Sequence, residues 1–275
     1  MGEHVPNRSE VEMAALWLGK HGVQVGIPTR LLATRLSVRR SAWPRGLRLR
    51  QAGIVLAAVA CGVGYQCLQY LPGVRGVEMT ESKILYFISF GFQGALWFAL
   101  RRRDREAVAV LGTRALDRPR PPWRELVNGW YLAAAMVTFA GGAALGATMF
   151  FATEYRTYAW SWLGVLGLAA ALFAMVVTGV VRRPVIAEDE ASLAVDAVLR
   201  KEDLNVVAPS MYAFPVLLDL VTTHRQPPGF TSWLLGYVLL AVGIQVIGAL
   251  VHQRRRPALP DGHYGEPLPA REGVR

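Results

Sequence analysis

The chain is built from long uncharged apolar runs, and clusters of arginine flank alternate ends of these runs. The runs occupy about residues 51–71, 84–100, 130–151, 158–181 and 231–251. In a helix, about 20 apolar residues cross the hydrocarbon core of a bilayer. Hydrophobic residues make up 53% of the chain and charged residues 18%, an apolar excess that a single soluble core would not hold. The pattern predicts an all-α, polytopic bundle of membrane helices spanning residues 51–251.

A sixth crossing is needed because both ends of the chain are rich in arginine, and basic residues concentrate in cytoplasmic loops. The candidate is 204–223, a mostly apolar segment that contains Pro209, Pro215 and Asp219. Proline is tolerated in membrane helices because neighbours can satisfy the freed carbonyls. Asp219 falls near the outer end, where the cost of a charge in lipid is smaller. We therefore expect a kinked fifth span here, and a re-entrant or interfacial segment is the alternative.

Six crossings divide the basic residues very unequally. Of the 30 Lys and Arg residues, 26 fall on the side that holds both termini. The other side keeps Arg75, Lys83, Arg156 and Arg225. The excess predicts a cytoplasmic N-terminus, a cytoplasmic C-terminus and cytoplasmic loops at 101–129 and 182–203. Only Lys20, Lys83 and Lys201 are lysine and the other basic residues are arginine, a bias typical of a high-GC bacterium, so we expect a bacterial plasma-membrane protein. The net charge of +10 then reflects topology, and its expected partner is the anionic inner leaflet of the lipid bilayer rather than nucleic acid.

Both terminal segments are predicted to lie outside the bilayer. Residues 1–50 form a basic cytoplasmic segment in which Ser9 and Glu12 match a capping box, opening a short helix that Gly22 could end. The basic and apolar faces of residues 29–40 overlap, so an orientation-setting basic collar explains them better than an amphipathic membrane anchor. Residues 252–275 are rich in Pro, Gly and charge, and we expect a disordered cytoplasmic tail.

The loop at 182–203 is predicted to contain a helix. Acidic residues 188–190 stand at its start, with Arg200 and Lys201 near its end, an order that complements the helix dipole. A cation site is the alternative, but the acids lack the oxygen spacing and the turn glycine of a calcium loop. The helix would dock on the bundle or on a cytoplasmic protein, such as a transporter ATPase, through four apolar residues: Leu193, Ala194, Ala197 and Val198.

Residues that carry chemistry are sparse in this sequence. The five histidines are solitary, and no HExxH, GxSxG, Walker A or CxxC motif occurs. We therefore expect no enzymatic activity, no cofactor and no metal. The glutamines within the spans are predicted to pair between helices, with a solute path as the alternative; they are Gln66, Gln69, Gln93 and Gln245. Gly142 and Gly146 form a GxxxG pattern that predicts close helix contact, within the chain in preference to between subunits.

The stretch RRPVIAEDEASLAVDAVLR, from Arg182 to Arg200, precedes two further apolar segments. In this respect the chain resembles uncharacterised multi-pass membrane proteins of actinobacteria, over about residues 182–275. The resemblance implies a plasma-membrane protein that is a membrane partner of a transport system, and it supplies no catalytic residue. We expect a non-catalytic permease-like or accessory subunit. The alternative is a stand-alone small-solute transporter or channel that uses the proline-broken segment and Asp219.

Overall fold

The computed structural model of the chain is mostly helical and describes residues 6–40, 53, 56–57, 60, 63, 83–111, 121–222, 226–254 and 258–267. Most of the first predicted span, 51–71, including Gln66 and Gln69, lies outside these residues. The helices in the described part are α1 (Arg8–Lys20), α2 (Arg30–Arg40), α3 (Lys83–Leu111), α4 (Trp123–Leu126), α5 (Gly129–Met136), α6 (Gly142–Ala152), α7 (Arg156–Val181), α8 (Glu190–Val206), α9 (Phe214–Thr222) and α10 (Thr231–Arg254). A π-helical turn, Val137–Gly141, joins α5 to α6, and a 3₁₀ turn, Pro209–Tyr212, precedes α9.

Three helical segments in the described part are long and apolar enough to cross a membrane: Gly129–Ala152, Arg156–Val181 and Thr231–Val251. They agree with three of the predicted spans to within two residues. In each, only 28% of the most apolar window is buried inside the protein. An apolar helix in a soluble core would instead be covered on all sides. The large side chains left exposed include Phe151, Trp160 and Trp233.

The predicted span at 84–100 lies inside α3, which does not stop at the arginines that follow it. The helix has 29 residues and is about 43 Å long at 1.5 Å per residue. Trp97 lies against Gly179 near the end of α7, so the last two turns or more of α3 extend beyond the bundle.

Small residues bring the apolar helices together within the chain. A Cβ atom added at Gly146 would lie 2.8 Å from Leu163 of α7, and one at Gly142 would lie 3.0 Å from the Tyr237 hydroxyl of α10. Thus the two glycines of the GxxxG pattern make contacts inside the chain. At Gly248 of α10 an added Cβ would be 2.6 Å from the Cβ of Trp130. These contacts show that α10 runs antiparallel to α5 and α6.

The segment at 204–223 is not one kinked helix. Pro209 starts the 3₁₀ turn and Pro215 is the second residue of α9, positions where the missing N–H would have no helical partner. Near one end of the bundle, the Tyr131 hydroxyl donates to the Val207 carbonyl at 2.9 Å. The 3₁₀ turn and α9 both pack against α10 and α3. Residues 207–222 therefore pack along helices of the bundle, while the side chain of Asp219 lies outside the described part.

A second unit packs on the end of the bundle where α7 finishes. This unit, the cap, consists of α1, α2, the end of α3, α8 and residues 258–267. Its apolar core includes Trp17 and Leu18 from α1, Leu32 from α2, and Val195 and Leu199 from α8. The N-terminal segment, the loop at 182–203 and part of the C-terminal tail, which were predicted as separate segments, thus share one apolar core.

The start of the cap follows the predicted pattern with a shift in the capping residues. Asn7 caps α1 in a capping box with Glu10, two residues before the predicted pair of Ser9 and Glu12. The helix ends at Lys20 and, as expected, is followed by Gly22, whose φ is 84°. The next N–H, of Val23, donates to the Leu18 carbonyl at 3.1 Å, a bond typical of a glycine-terminated helix.

Part of the tail predicted to be disordered is ordered in the cap. Strand β1 (Ile27–Pro28) pairs antiparallel with β2 (Gly265–Glu266). Leu259 and Tyr264 are buried in the cap core. A side chain at Gly265 would collide with the Ile27 carbonyl, 2.1 Å from an added Cβ, so the Pro- and Gly-rich composition here serves a close strand pairing. The buried contacts of Leu259 and Tyr264 hold this part of the tail in the cap, and composition alone does not predict them.

Candidate functional site

A network of charged side chains lies where the cap meets the bundle. Three arginines and three aspartates, equal in number, come from α2, from α3, from the residues just after α7 and from α8. We call this set the junction network: Arg35, Asp104, Arg183, Asp196, Arg200 and Asp203.

Asp196 is the centre of the junction network. One carboxylate oxygen accepts a short hydrogen bond from Nη2 of Arg35, and the other accepts from Nε of Arg200 at 2.7 Å. These three side chains are at most 1% exposed. Arg35 also donates through Nη1 to the Ile186 carbonyl at 2.6 Å. The carboxylate thus joins α2 of the N-terminal segment to α8.

Arg200 also caps the C-terminal end of α7. Its Nη1 donates to the carbonyls of Val180 and Val181 at 3.2 and 3.1 Å. Its Nη2 donates to those of Arg183 and Pro184 at 3.1 and 3.0 Å. The last carbonyls of a helix have no partner within the helix, and a positive charge there also matches the helix dipole. A side chain of the cap therefore completes the end of an apolar helix of the bundle.

Arg183 links α3 to the same centre. Its Nη1 donates to Asp104 at 2.7 Å and to Asp203 at 2.5 Å. Its Nη2 lies 4.0 Å from the carboxylate of Asp196, beyond hydrogen-bond distance. Among the described residues, Nε and Nη2 of Arg183 have no hydrogen-bond partner.

The electrostatics of the junction network keep Asp196 ionised. Burial by itself raises the pKa of Asp196, but the positive charges of Arg35, Arg200 and Arg183 outweigh burial, and the pKa lies below its ordinary value. Burial also lowers the pKa of Arg200, against the opposing effect of Asp196. Arginine nevertheless stays protonated at neutral pH because its ordinary pKa is above 12. At neutral pH an ionised Asp196 therefore lies between two arginines, Arg35 and Arg200.

A cavity of about 400 Å³ adjoins the junction network, between α3 and the end of α7. Apolar groups form much of its wall, among them Trp97 and Val180. Its charged lining residues are Arg101, Asp104, Arg105, Arg183 and Asp203. Among the described residues, three positive and two negative groups give the lining an excess of one positive charge.

A second group of polar atoms lies in the middle of the bundle. Among the described residues, several buried polar atoms have no hydrogen-bond partner, and four of the side chains concerned are buried in the bundle. We call them the core polar set: Gln93, Thr138, Trp162 and Tyr212. The ring of Tyr212 lies 5.6 Å from that of Phe139, in the π-helical turn. Irregular turns of this kind frequently mark functional sites.

The sequence-predicted site residues lie in three separate places. Pro209, Pro215 and the backbone of Asp219 are on the irregular path of residues 207–222, and Gly142 and Gly146 are at helix contacts in the bundle. The four residues predicted as a docking face of α8 are half-buried: Leu193, Ala194, Ala197 and Val198. Of these, Ala194 and Val198 pack against the cap core. The fully buried face of α8 is the adjacent one, which carries Asp196 and Arg200.

Sequence reasoning missed the junction network, although one signal for it was present. Arg35 falls at the same helical angles as Leu31, Leu32 and Leu36, an overlap that argued against a membrane anchor. An arginine on an apolar face is also what a buried ion pair requires, since charges are rarely buried unless they are paired. Its partner Asp196, 161 positions away, could not be identified from spacing.

No grouping of three His, Cys, Asp or Glu residues in the described part could hold a metal ion. Comparisons with protein-family models, with curated proteins and with solved structures gave no significant match. The resemblance to actinobacterial membrane proteins therefore stays an expectation. Function has to be argued from the bundle, the junction network and the cavity.

Proposed function

We propose that this chain is a six-span plasma-membrane protein with both termini cytoplasmic, and that it serves as a non-catalytic, permease-like or accessory membrane subunit. The observation that carries the proposal is the combination of an outward-facing apolar bundle with a folded cap at one end. Lipid would cover the bundle, and the cap would meet a cytoplasmic protein partner.

Three features support six spans. The three apolar helical segments leave most of their apolar surface facing outward, as helices in lipid do. The 3₁₀ turn and α9 in residues 207–222 both pack against bundle helices, which supports a crossing by an irregular path. With α3 and the predicted first span this makes six crossings, and 26 of 30 basic residues then lie on the cap side.

Reporter fusions test this topology. A reporter after Pro257 should read cytoplasmic, and one inserted beside Arg225 should read outside. The same reporter after Asn128, which caps α5 near the cap, is the matched cytoplasmic control. An outside reading after Pro257 would restore five spans and refute the proposed orientation.

The subunit role is supported by the half-buried face of α8, which the cap core covers only in part. Leu193 and Ala197 lie on that face. We expect a soluble protein, such as a transporter ATPase, to co-purify with the chain from native membranes and to be lost in the double variant Leu193→Gln and Ala197→Gln. The matched control on the same helix is Lys201→Gln with Glu202→Gln. Equal recovery of the ATPase activity with both variants would refute docking through this face.

A stand-alone transporter or channel is the second candidate, and the core polar set favours it. Buried polar atoms without partners are uncommon in folded proteins, and broken helices near the bilayer midplane form the binding sites of many transporters. The 3₁₀ turn that contains Tyr212 is such a break. In reconstituted vesicles, solute flux should fall in Asp219→Asn and in Tyr212→Phe. Absence of flux for cations, anions and neutral solutes alike would remove this candidate.

A further inference from the structure

The cavity beside the junction network lies at the level where the bundle meets the cap. Gly179 and Val180, in its wall, belong to the last turn of α7, whereas Ile186 belongs to the cap core. The end of an apolar membrane helix marks the boundary between hydrocarbon and headgroups. The cavity therefore has one side at the depth of the acyl chains and the other at the depth of the headgroups.

The positive groups of the cavity are placed at this boundary. Arg101 and Arg105 are one helical turn apart on α3, and both are exposed. The guanidinium of Arg101 lies over the ring of Trp97, 5.1 Å from its centre, which favours one position of the charge. Arg183 also lines the cavity, and its Nη1 donates to Asp104 and Asp203. The two carboxylates are thus already engaged by one arginine, and Arg101 and Arg105 provide the positive charge that remains.

The size and the wall of the cavity also fit a particular ligand chemistry. Its volume of about 400 Å³ falls in the usual range for small-molecule sites, roughly 300–1,000 Å³. Its wall next to the arginines is apolar and includes Trp97, a residue type enriched at membrane interfaces. An anionic group joined to an apolar chain would place the anion at the arginines and the chain against α7. Basic pockets between membrane helices on the cytoplasmic side bind lipid headgroups in this way.

We propose that this cavity binds one anionic phospholipid of the inner leaflet, with its phosphate at Arg101 and Arg105 and an acyl chain against Trp97 and Gly179. Because Arg183 belongs both to the cavity and to the junction network, the bound lipid also stabilises the attachment of the cap. This inference rests on the membrane placement of the chain and not on its role as a subunit.

The test uses the purified full chain in detergent and two measurements. Native mass spectrometry counts the lipids retained after addition of phosphatidylglycerol or phosphatidylcholine, and thermal unfolding measures stabilisation by each lipid. We expect one retained phosphatidylglycerol and stabilisation by phosphatidylglycerol alone. In Arg101→Gln or Arg105→Gln, the apparent affinity for phosphatidylglycerol should fall about five-fold each, on the order of the effect of one basic residue at an anionic membrane surface.

The matched control is Arg102→Gln, which removes the same charge from the same helix. Arg102 is paired with Glu106 at 2.6 Å and is absent from the lining of the cavity, so phosphatidylglycerol binding should be unchanged. Equal losses in the Arg102 and Arg101 variants would overturn the proposal, since the effect would then be one of total charge. Equal stabilisation by phosphatidylcholine would overturn it as well.

Inorganic phosphate separates a lipid site from a site for a free anion. If phosphate alone protects the wild-type chain as well as phosphatidylglycerol does, the acyl chain contributes nothing and the lipid proposal fails. These readouts are independent of reporter fusions and of co-purification, so a failure here leaves the proposed topology and subunit role standing.

Discussion

The bundle and the cap are held together by different chemistry. The bundle core is apolar and aromatic and includes Phe90, Trp162 and Tyr237. The cap joins the bundle through six charged side chains that are mostly buried. In lipid an isolated charge is expensive, so membrane helices pack mainly through van der Waals contacts and small residues. At the edge of the membrane, charges can be grouped and paired, and they then fix how two units meet.

Removing Asp196, the centre of the junction network, should cause the largest loss of stability, and the loss should be confined to the cap. Asp196→Ala leaves Arg35 and Arg200 buried without their shared carboxylate, and breaking a buried ion pair costs about 3–5 kcal/mol. We expect the cap to detach or unfold while the bundle stays helical. Limited proteolysis should then cut within residues 8–40, and circular dichroism should retain most of the helical signal.

The matched control for Asp196→Ala lies on the same helix. Glu202→Gln changes a half-buried acid outside the junction network and should alter stability by less than about 0.5 kcal/mol. If Asp196→Ala were as resistant to protease as this control, the network would not be what holds the cap.

Acid should reproduce this loss in a weaker form, because a protonated carboxyl keeps its volume and can still form hydrogen bonds. The pKa of Asp196 is lower in the folded chain than its ordinary value, which is about 3.9 when unfolded. Its contribution to stability is therefore complete above about pH 4 and is lost as the pH falls through the lower folded value. Thermal unfolding of the cap should show this decline below about pH 4 in the wild type, and a smaller one in Asp196→Asn. An equal decline in both would assign the acid sensitivity to other groups.

The stability of the bundle should depend on side-chain volume at its helix contacts, whereas the attachment of the cap depends on charge. Gly248→Ala would place a Cβ 2.6 Å from the Cβ of Trp130, so two helices must move apart. Overpacking of this kind costs typically about 1–3 kcal/mol. Gly236→Ala, on the same helix, meets no atom within 4 Å and should be neutral or slightly stabilising. Thermal unfolding in detergent distinguishes the two, and equal midpoints would show that the contact at Gly248 yields without cost.

The same contrast explains what could be predicted from the sequence. Three apolar helices, the glycine that follows α1 and the acidic start of α8, which Asp189 caps, follow from local patterns, since composition and capping act over a few residues. The pairing of Arg35 with Asp196 and that of Ile27 with Glu266 join distant parts of the chain, and nothing local identifies the partners. The irregular path around Pro209 also depends on the surrounding helices. Long apolar runs thus predicted three helices of the bundle, while the fold of the cap depends on long-range pairs.

The smallest expected change in stability comes from removing single tyrosine hydroxyl groups in the bundle. One of the two hydroxyls compared is hydrogen-bonded within the described residues and the other is not. The Tyr237 hydroxyl donates to the Thr138 carbonyl at 2.8 Å, whereas the Tyr212 hydroxyl has no partner among the described residues. Hydrogen bonds between membrane helices average about 0.6 kcal/mol, so Tyr237→Phe should destabilise the chain by about that amount. Tyr212→Phe removes an unpaired buried hydroxyl and should be neutral or stabilising. A loss in Tyr212→Phe as large as that in Tyr237→Phe would mean that its hydroxyl is hydrogen-bonded after all, through water or a bound solute. That outcome would weaken the view of the bundle core as held by apolar contact and would favour a polar path through it.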